Sequence, residues 1–143
     1  MKFLAGVFLA PLILYWSPPF GDGWDIFARV KFTEQLIKDE YFLVPFLDSR
    51  IKSYEGKVVS LKGYYLPMDF EDQQTIILSR NPYSMCFFCG GAGPESVAEV
   101  VFMKKRPKLK PDQIITVSGK LQLNVTDVEH MNFILVDAII NTP

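Results

Sequence analysis

The chain has 143 residues, of which 49% are apolar, 14% aromatic and 22% charged, a composition that fits one folded domain and excludes a disordered tail or a multidomain enzyme. Fifteen Lys and Arg against sixteen Asp and Glu leave a net charge of -1, so no strong field selects nucleic acid or an anionic membrane. One His and two Cys exclude a disulfide-dense scaffold and most multi-histidine metal sites.

The first segment reads as an address. Met1 and Lys2 give a positive start, Phe3 to Trp16 run apolar without a charge, and Ser17-Pro18-Pro19-Phe20-Gly21-Asp22-Gly23 break the run. That length suits a secretory signal and falls short of the roughly 20 residues a spanning helix needs. Residues 1–23 are therefore expected to be a signal peptide or an uncleaved N-terminal anchor, and 24–143 a single exported domain, periplasmic in location. An uncleaved segment is the one route to a membrane.

The next stretch is ambiguous. Val30 to Gln35 alternates and Tyr41 to Phe46 is aromatic and β-branched, which predicts a hairpin around Lys38-Asp39-Glu40. A helix from Asp25 to Lys38, capped by Asp25 and carrying Ile26, Val30 and Ile37 near helical spacing, is the rival. From Gly56 onward the alternation is clearer. Strands are predicted over Lys57 to Leu66, Thr75 to Leu78, Val97 to Met103, Ile114 to Leu123 and Phe133 to Ile140, with a single helical turn over Asp127 to His130. Gly63 and Gly119 inside two of the strands predict bends or bulges of the kind that turn the corners of small barrels. The expected fold is mainly β: a five-stranded OB-like Greek-key barrel, preceded by the N-terminal hairpin or a short helix and carrying one or two short helical turns.

The stretch from Ser79 to Ser96 is too long for a hairpin loop, and it holds both cysteines. Gly90, Gly91 and Gly93 demand positive φ or close approach, and Pro94 fixes the exit. At a spacing of three, Cys86 and Cys89 can close a disulfide, chelate one metal ion or run dithiol exchange. A zinc or copper ion would need further donors, for which the chain offers His130, Glu95 and Glu99, with Met85 as a soft option for copper. Phe87 and Phe88 beside Cys86 can fill the barrel mouth or meet a partner. No nucleophile, phosphate loop or carboxylate pair stands out, so no catalytic residue is assigned. The five basic residues of Lys104 to Lys110 read as a solvated loop guarding strand edges, and binding of nucleic acid is not expected.

The phrases GKVVSLKGYYLP, LSRNPYSMCFFCGGAGPESVAEV and ITVSGKLQLNVTDVEHMNFILVDA resemble a group of small exported bacterial proteins of unknown function. That group is related to a domain-of-unknown-function family with an OB-like barrel, often encoded near transporter permeases. The resemblance covers roughly Trp24 to Ile140, and CFFCGGAGPES is its most specific part. In the wider family this loop often carries a Cys closely followed by a His, and Cys89 stands near the place of that His. The resemblance implies an envelope location and an envelope or transporter partner, and it supplies no catalytic residue. The sequence thus points to a non-enzymatic envelope module whose cysteine loop binds a metal ion or a transport-complex partner, with Met85, Phe87, Phe88, Gly90, Gly91, Gly93 and Pro94 as the loop surface. The alternatives are a thiol-disulfide oxidoreductase, or a barrel with a structural disulfide that binds by its surface.

Overall fold

A computed structural model describes residues 23–141. The signal or anchor reading of residues 1–23 therefore lies outside the described residues, Gly23 excepted. Among the described residues no helix is long and apolar enough to cross a membrane.

The described residues form, in chain order, two short α-helices and seven strands: α1 (Trp24–Phe27), β1 (Lys31–Ile37), β2 (Glu40–Phe46), α2 (Ser49–Lys52), β3 (Val58–Leu66), β4 (Thr75–Ser79), β5 (Val97–Phe102), β6 (Ile114–Leu123) and β7 (Phe133–Ile140). Strands β3 to β7 close a five-stranded barrel in the order β3-β4-β5-β7-β6, with β6 returning to β3. All pairings are antiparallel except β5 with β7. The parallel pair arises because the chain leaves the β3-β4-β5 meander, crosses to β6 on the far side of β3, and inserts β7 between β6 and β5. This is the Greek-key barrel of OB type that the alternation implied.

Alternation decides which side chains fill the barrel. Val59, Leu61 and Tyr65 of β3, Ile76 and Leu78 of β4, Ala98, Val100 and Phe102 of β5, Val117 and Leu121 of β6, and Leu135 of β7 share one core. β3 is long because it serves two neighbours: Val58 to Tyr64 pair with β6, and Tyr64 to Leu66 pair with β4. Gly63 sits at that changeover, where a Cβ would run into the carbonyl oxygen of Ser79. Gly119 lies at a register shift between Ser118 and Lys120 in the β6-β7 ladder. Neither glycine has positive φ, so both are required for space.

The N-terminal stretch resolves in favour of the hairpin. β1 and β2 form a separate two-stranded sheet in full register from Lys31↔Phe46 to Ile37↔Glu40. Lys38 and Asp39 turn it with φ of 51° and 66°, so Glu40 already belongs to β2. The rival helix over Asp25 to Lys38 is not formed; helix is confined to Trp24–Phe27, and Asp25 does not cap it because Gly23 occupies the N-cap. The reason is packing. Trp24 and Phe27 are fully buried in the barrel core, Trp24 donates from Nε1 to the Lys62 carbonyl at 2.8 Å, and Phe27 stacks on Phe133 at 4.1 Å. Phe32 at the root of the hairpin then meets Phe133 edge-on at 6.4 Å. α2 is capped by Asp48, whose carboxylate accepts from Ile51 N at 3.0 Å, and buries Ile51 against the core.

The helical turn expected over Asp127 to His130 is absent, and those residues form a non-helical turn. Asn124 imposes it. Its side-chain amide donates to the carbonyls of Asp127, His130 and Met131, and its Oδ1 accepts from Asp127 N at 3.0 Å. These bonds replace the helical ladder.

Candidate functional site

The side of β4 and β5 that faces away from the barrel interior is also apolar. Leu66, Ile77, Val97 and the fully buried Cys86 form a second, smaller core, with Met68, Phe70, Phe87 and Met131 against it. The cysteine loop is thus the cover of an outer sheet face. Arg80 N bonds the Ser96 carbonyl at 2.8 Å and closes the neck of the loop. Between them the chain makes three single 3-10 turns, Tyr83–Met85, Phe87–Cys89 and Pro94–Ser96. Tyr83 N donates to Asp112 Oδ1 at 2.8 Å, which fastens the first turn of the loop to the β5-β6 connection.

The loop places its two thiols differently. Cys86 has no exposed surface, whereas Cys89 is exposed, and their sulfur atoms lie 3.8 Å apart as free thiols. The turn that sets this spacing is closed by Cys89 N to the Cys86 carbonyl at 3.2 Å and by Gly90, whose φ of 75° ends it. Contact with the Cys86 thiol, foremost through their hydrogen bond, pushes the Cys89 thiol above its ordinary range.

The residues named as metal donors are not assembled. Among the described residues no group of three or more His, Cys, Asp or Glu is arranged to hold a metal ion. Glu95 turns its carboxylate back over Gly93. His130 is occupied elsewhere: its Nδ1 lies 2.9 Å from Oε1 of Glu99. Among the described His, Cys, Asp and Glu residues, a zinc or copper ion would have the Cys86 and Cys89 pair to rest on and no third donor grouped with it.

Glu99 is the residue that sequence reasoning underused. It points outward from β5, is 3% exposed, and accepts from Met131 N at 3.1 Å in addition to His130. Its signal was present in Val-Ala-Glu-Val-Val-Phe, because a carboxylate inside an apolar strand must find partners or stay out of the fold. Those partners come from the turn before β7, so the pair ties the Asn124 loop to the outer face.

Three walls then enclose a cleft of about 310 Å³: β2 of the hairpin, Phe87 and Pro94 of the cysteine loop, and Val128, His130 and Met131 of the Asn124 loop. Of the predicted loop surface, Phe87 and Pro94 reach this cleft, while Met85 and Phe88 are exposed elsewhere on the loop. The basic stretch after β5 is anchored by Arg106, whose backbone N–H bonds the Gln73 carbonyl at 2.8 Å, and leaves its lysines in solvent.

The His130 pair has a pH signature. The hydrogen bond to Glu99, then its charge and those of Asp127 and Glu129, holds the imidazole above its ordinary pKa. A raised pKa in the folded state stabilises fully below the unfolded value near 6.5 and is lost as pH rises through the folded value. Because the His130 side chain is half exposed, screening limits the contribution to about 0.5 kcal/mol. Urea unfolding midpoints of the wild type should therefore fall slightly between pH 6 and pH 8.5, and a His130→Gln variant should lose that slope.

No protein-family profile, curated protein or solved structure matches the chain.

Proposed function

We propose that this chain is a non-enzymatic module of the bacterial envelope, exported to the periplasm, whose barrel presents the cysteine loop and its adjoining cleft to a protein partner in a transport assembly. The observation that carries the reading is the position of Cys86. It is packed among Leu66, Ile77 and Val97, so the cysteine loop is part of the folded structure and holds Phe87 in the cleft wall. A thiol that attacks an external disulfide needs exposure together with a lowered pKa, and neither sulfur combines the two: Cys86 is buried, and the exposed Cys89 is shifted upward. In an oxidising compartment the pair loses two protons and two electrons to the resident oxidant and closes a disulfide that stiffens the loop. Closure brings the two sulfur atoms from 3.8 Å to bonding distance, about 2 Å.

Two measurements test the reading. Protein isolated from the periplasm and alkylated under denaturing conditions, with and without reductant or chelator, is expected to show a single Cys86 to Cys89 disulfide and negligible turnover of a model disulfide. Rapid turnover would make the chain an oxidoreductase, and one equivalent of zinc or copper released by chelator would make the pair a metal site. A photo-crosslinking residue at Phe88, which is exposed on the loop, is expected to give a discrete adduct with an envelope protein in cells. Uniform absence of adducts, or recovery of the chain in the cytosol, would overturn the module.

A further inference from the structure

We propose that Glu99 and His130 form a pH-operated latch on the turn from Asn124 to Asn132: with His130 charged the turn is held against β5, and with His130 neutral it lifts more often and opens the cleft beside the cysteine loop. The latch rests on the geometry of the pair, and its consequence for a partner rests on the reading of the cleft as the partner's site.

The turn is built to move as one piece, because Asn124 stitches it from within. Its side-chain amide donates to the carbonyls of Asp127, His130 and Met131, and its backbone N–H donates to the Asn132 carbonyl at 2.9 Å. Asn132 returns a side-chain bond to the Asn124 carbonyl at 3.0 Å. None of these bonds leaves the turn. Among the described residues, the hydrogen bonds that fasten it to β5 end on one carboxylate. His130 Nδ1 lies 2.9 Å from Oε1 and 3.1 Å from Oε2 of Glu99, and Met131 N donates to Oε2 at 3.1 Å.

Burial makes that carboxylate sensitive to the charge of its partner. Glu99 is 3% exposed, and among the described residues it has no ion pair with Lys or Arg, so His130 is its cationic partner. A buried carboxylate whose counter-charge is withdrawn bears its desolvation cost uncompensated. A neutral imidazole leaves Glu99 with neutral donors alone, and lifting the turn lets water replace them. His130 is itself half exposed, so it exchanges protons with solvent without unfolding, and among the described residues it belongs to no metal-holding group.

The charged and titratable groups around the imidazole set the direction. Glu99 faces it from β5, Asp127 and Glu129 lie in its own turn, and Tyr41 stands on the hairpin wall of the cleft; Phe87 and Pro94, the cysteine-loop residues at the cleft, add none. The hydrogen bond to Glu99, then the charges of Glu99, Asp127 and Glu129, keep His130 protonated to a higher pH than usual, so the latch loosens as pH rises through that raised value. Loosening acts on the cleft directly, since Asp127, Val128, His130, Met131 and Asn132 make one of its walls. Met131 also packs against the second core, which limits the movement to a local opening.

Amide exchange of the isotope-labelled protein at pH 6 and pH 8.5, converted to protection factors so that the pH dependence of the exchange chemistry is removed, tests the latch beside an NMR titration of the imidazole. Met131, whose N–H bonds Glu99, is expected to be less protected than Leu135 of the barrel ladder at both pH values. Its protection should fall about twofold as His130 deprotonates, the size that a half-exposed pair allows. His130→Gln and Glu99→Gln should each remove the pH response, the second because a carboxamide needs no counter-charge. If Glu99→Gln does not fold, the wild type and His130→Gln still decide. Met131 protection equal to that of Leu135, protection unchanged with pH, or a response that survives in His130→Gln overturns the latch. The Phe88 crosslink, repeated in cells held at the two pH values, is expected to give more adduct at pH 8.5, and equal yields overturn the consequence for the partner. A pH response at Met131 with no adduct at either pH overturns the partner reading and supports the latch alone.

Discussion

Phe27→Ala is expected to destabilise the protein by about 4 kcal/mol, read as a lower urea midpoint with little change in slope. Phe27 has no exposed surface, and its ring lies parallel to Phe133 at 4.1 Å with Trp24 edge-on at 5.9 Å. Deleting it removes the transfer energy of a full aromatic side chain and leaves a cavity that the β barrel, held by its ladder, cannot collapse into. The effect should extend beyond stability. Phe133 also orients Phe32 at the base of β1, so loss of Phe27 frees the aromatic layer on which the hairpin stands. The hairpin should then exchange its amides faster even under conditions where the barrel remains folded. By contrast, Phe46→Ala, at a site 67% exposed near the same root, is expected to change stability by no more than about 0.5 kcal/mol. Equal losses from the two substitutions would mean that α1 does not hold the barrel end.

What the sequence revealed and what it hid follow from the range of the forces concerned. The strands Ile114–Leu123 and Phe133–Ile140 were legible to the residue because period-two alternation and flanking turn residues act locally. The pairing of β5 with β7 has no local marker, and the barrel order came from the general pattern of five strands with internal glycines. Trp24 and Phe27 carry no periodic signal of their own, because a four-residue helix is too short to show one and is held by its tertiary contacts. The site was less legible than the fold. The cysteine loop was conspicuous in composition, yet the burial of Cys86 depends on Leu66, Ile77 and Val97, from three different strands. His130 and Glu99 were both noted as donors, but their engagement with each other across 31 positions required the β5-β7 pairing to be known. The cleft could not be anticipated, since its walls come from the hairpin and two loops that meet only when the barrel closes.

Gly63→Val is expected to cost about 3 kcal/mol or more, and the reason is space rather than backbone freedom. Gly63 has ordinary negative-side or extended backbone geometry, as it is not among the positive-φ residues. A Cβ built at this position would overlap the carbonyl oxygen of Ser79 and come within 3.1 Å of its carbon and 3.2 Å of Leu78 Cγ. Two of those three atoms are main chain, so no rotamer change relieves the contact. Relief requires β3 to move away from β4 at the point where Tyr64 pairs with both Ser79 and Ile114, and there the ladder on one side or the other must break. The variant should therefore unfold at a lower urea concentration and, in hydrogen exchange, lose protection first at Tyr64 to Leu66 and Ile77 to Ser79. Gly90 provides the opposite control. Its φ is 75° and a Cβ there meets nothing within 4 Å, so Gly90→Asn, a residue that accepts left-handed geometry, should cost less than about 1 kcal/mol. If Gly63→Val is tolerated as well as Gly90→Asn, β3 does not turn the barrel corner by close approach to β4, and the changeover at Tyr64 needs another cause.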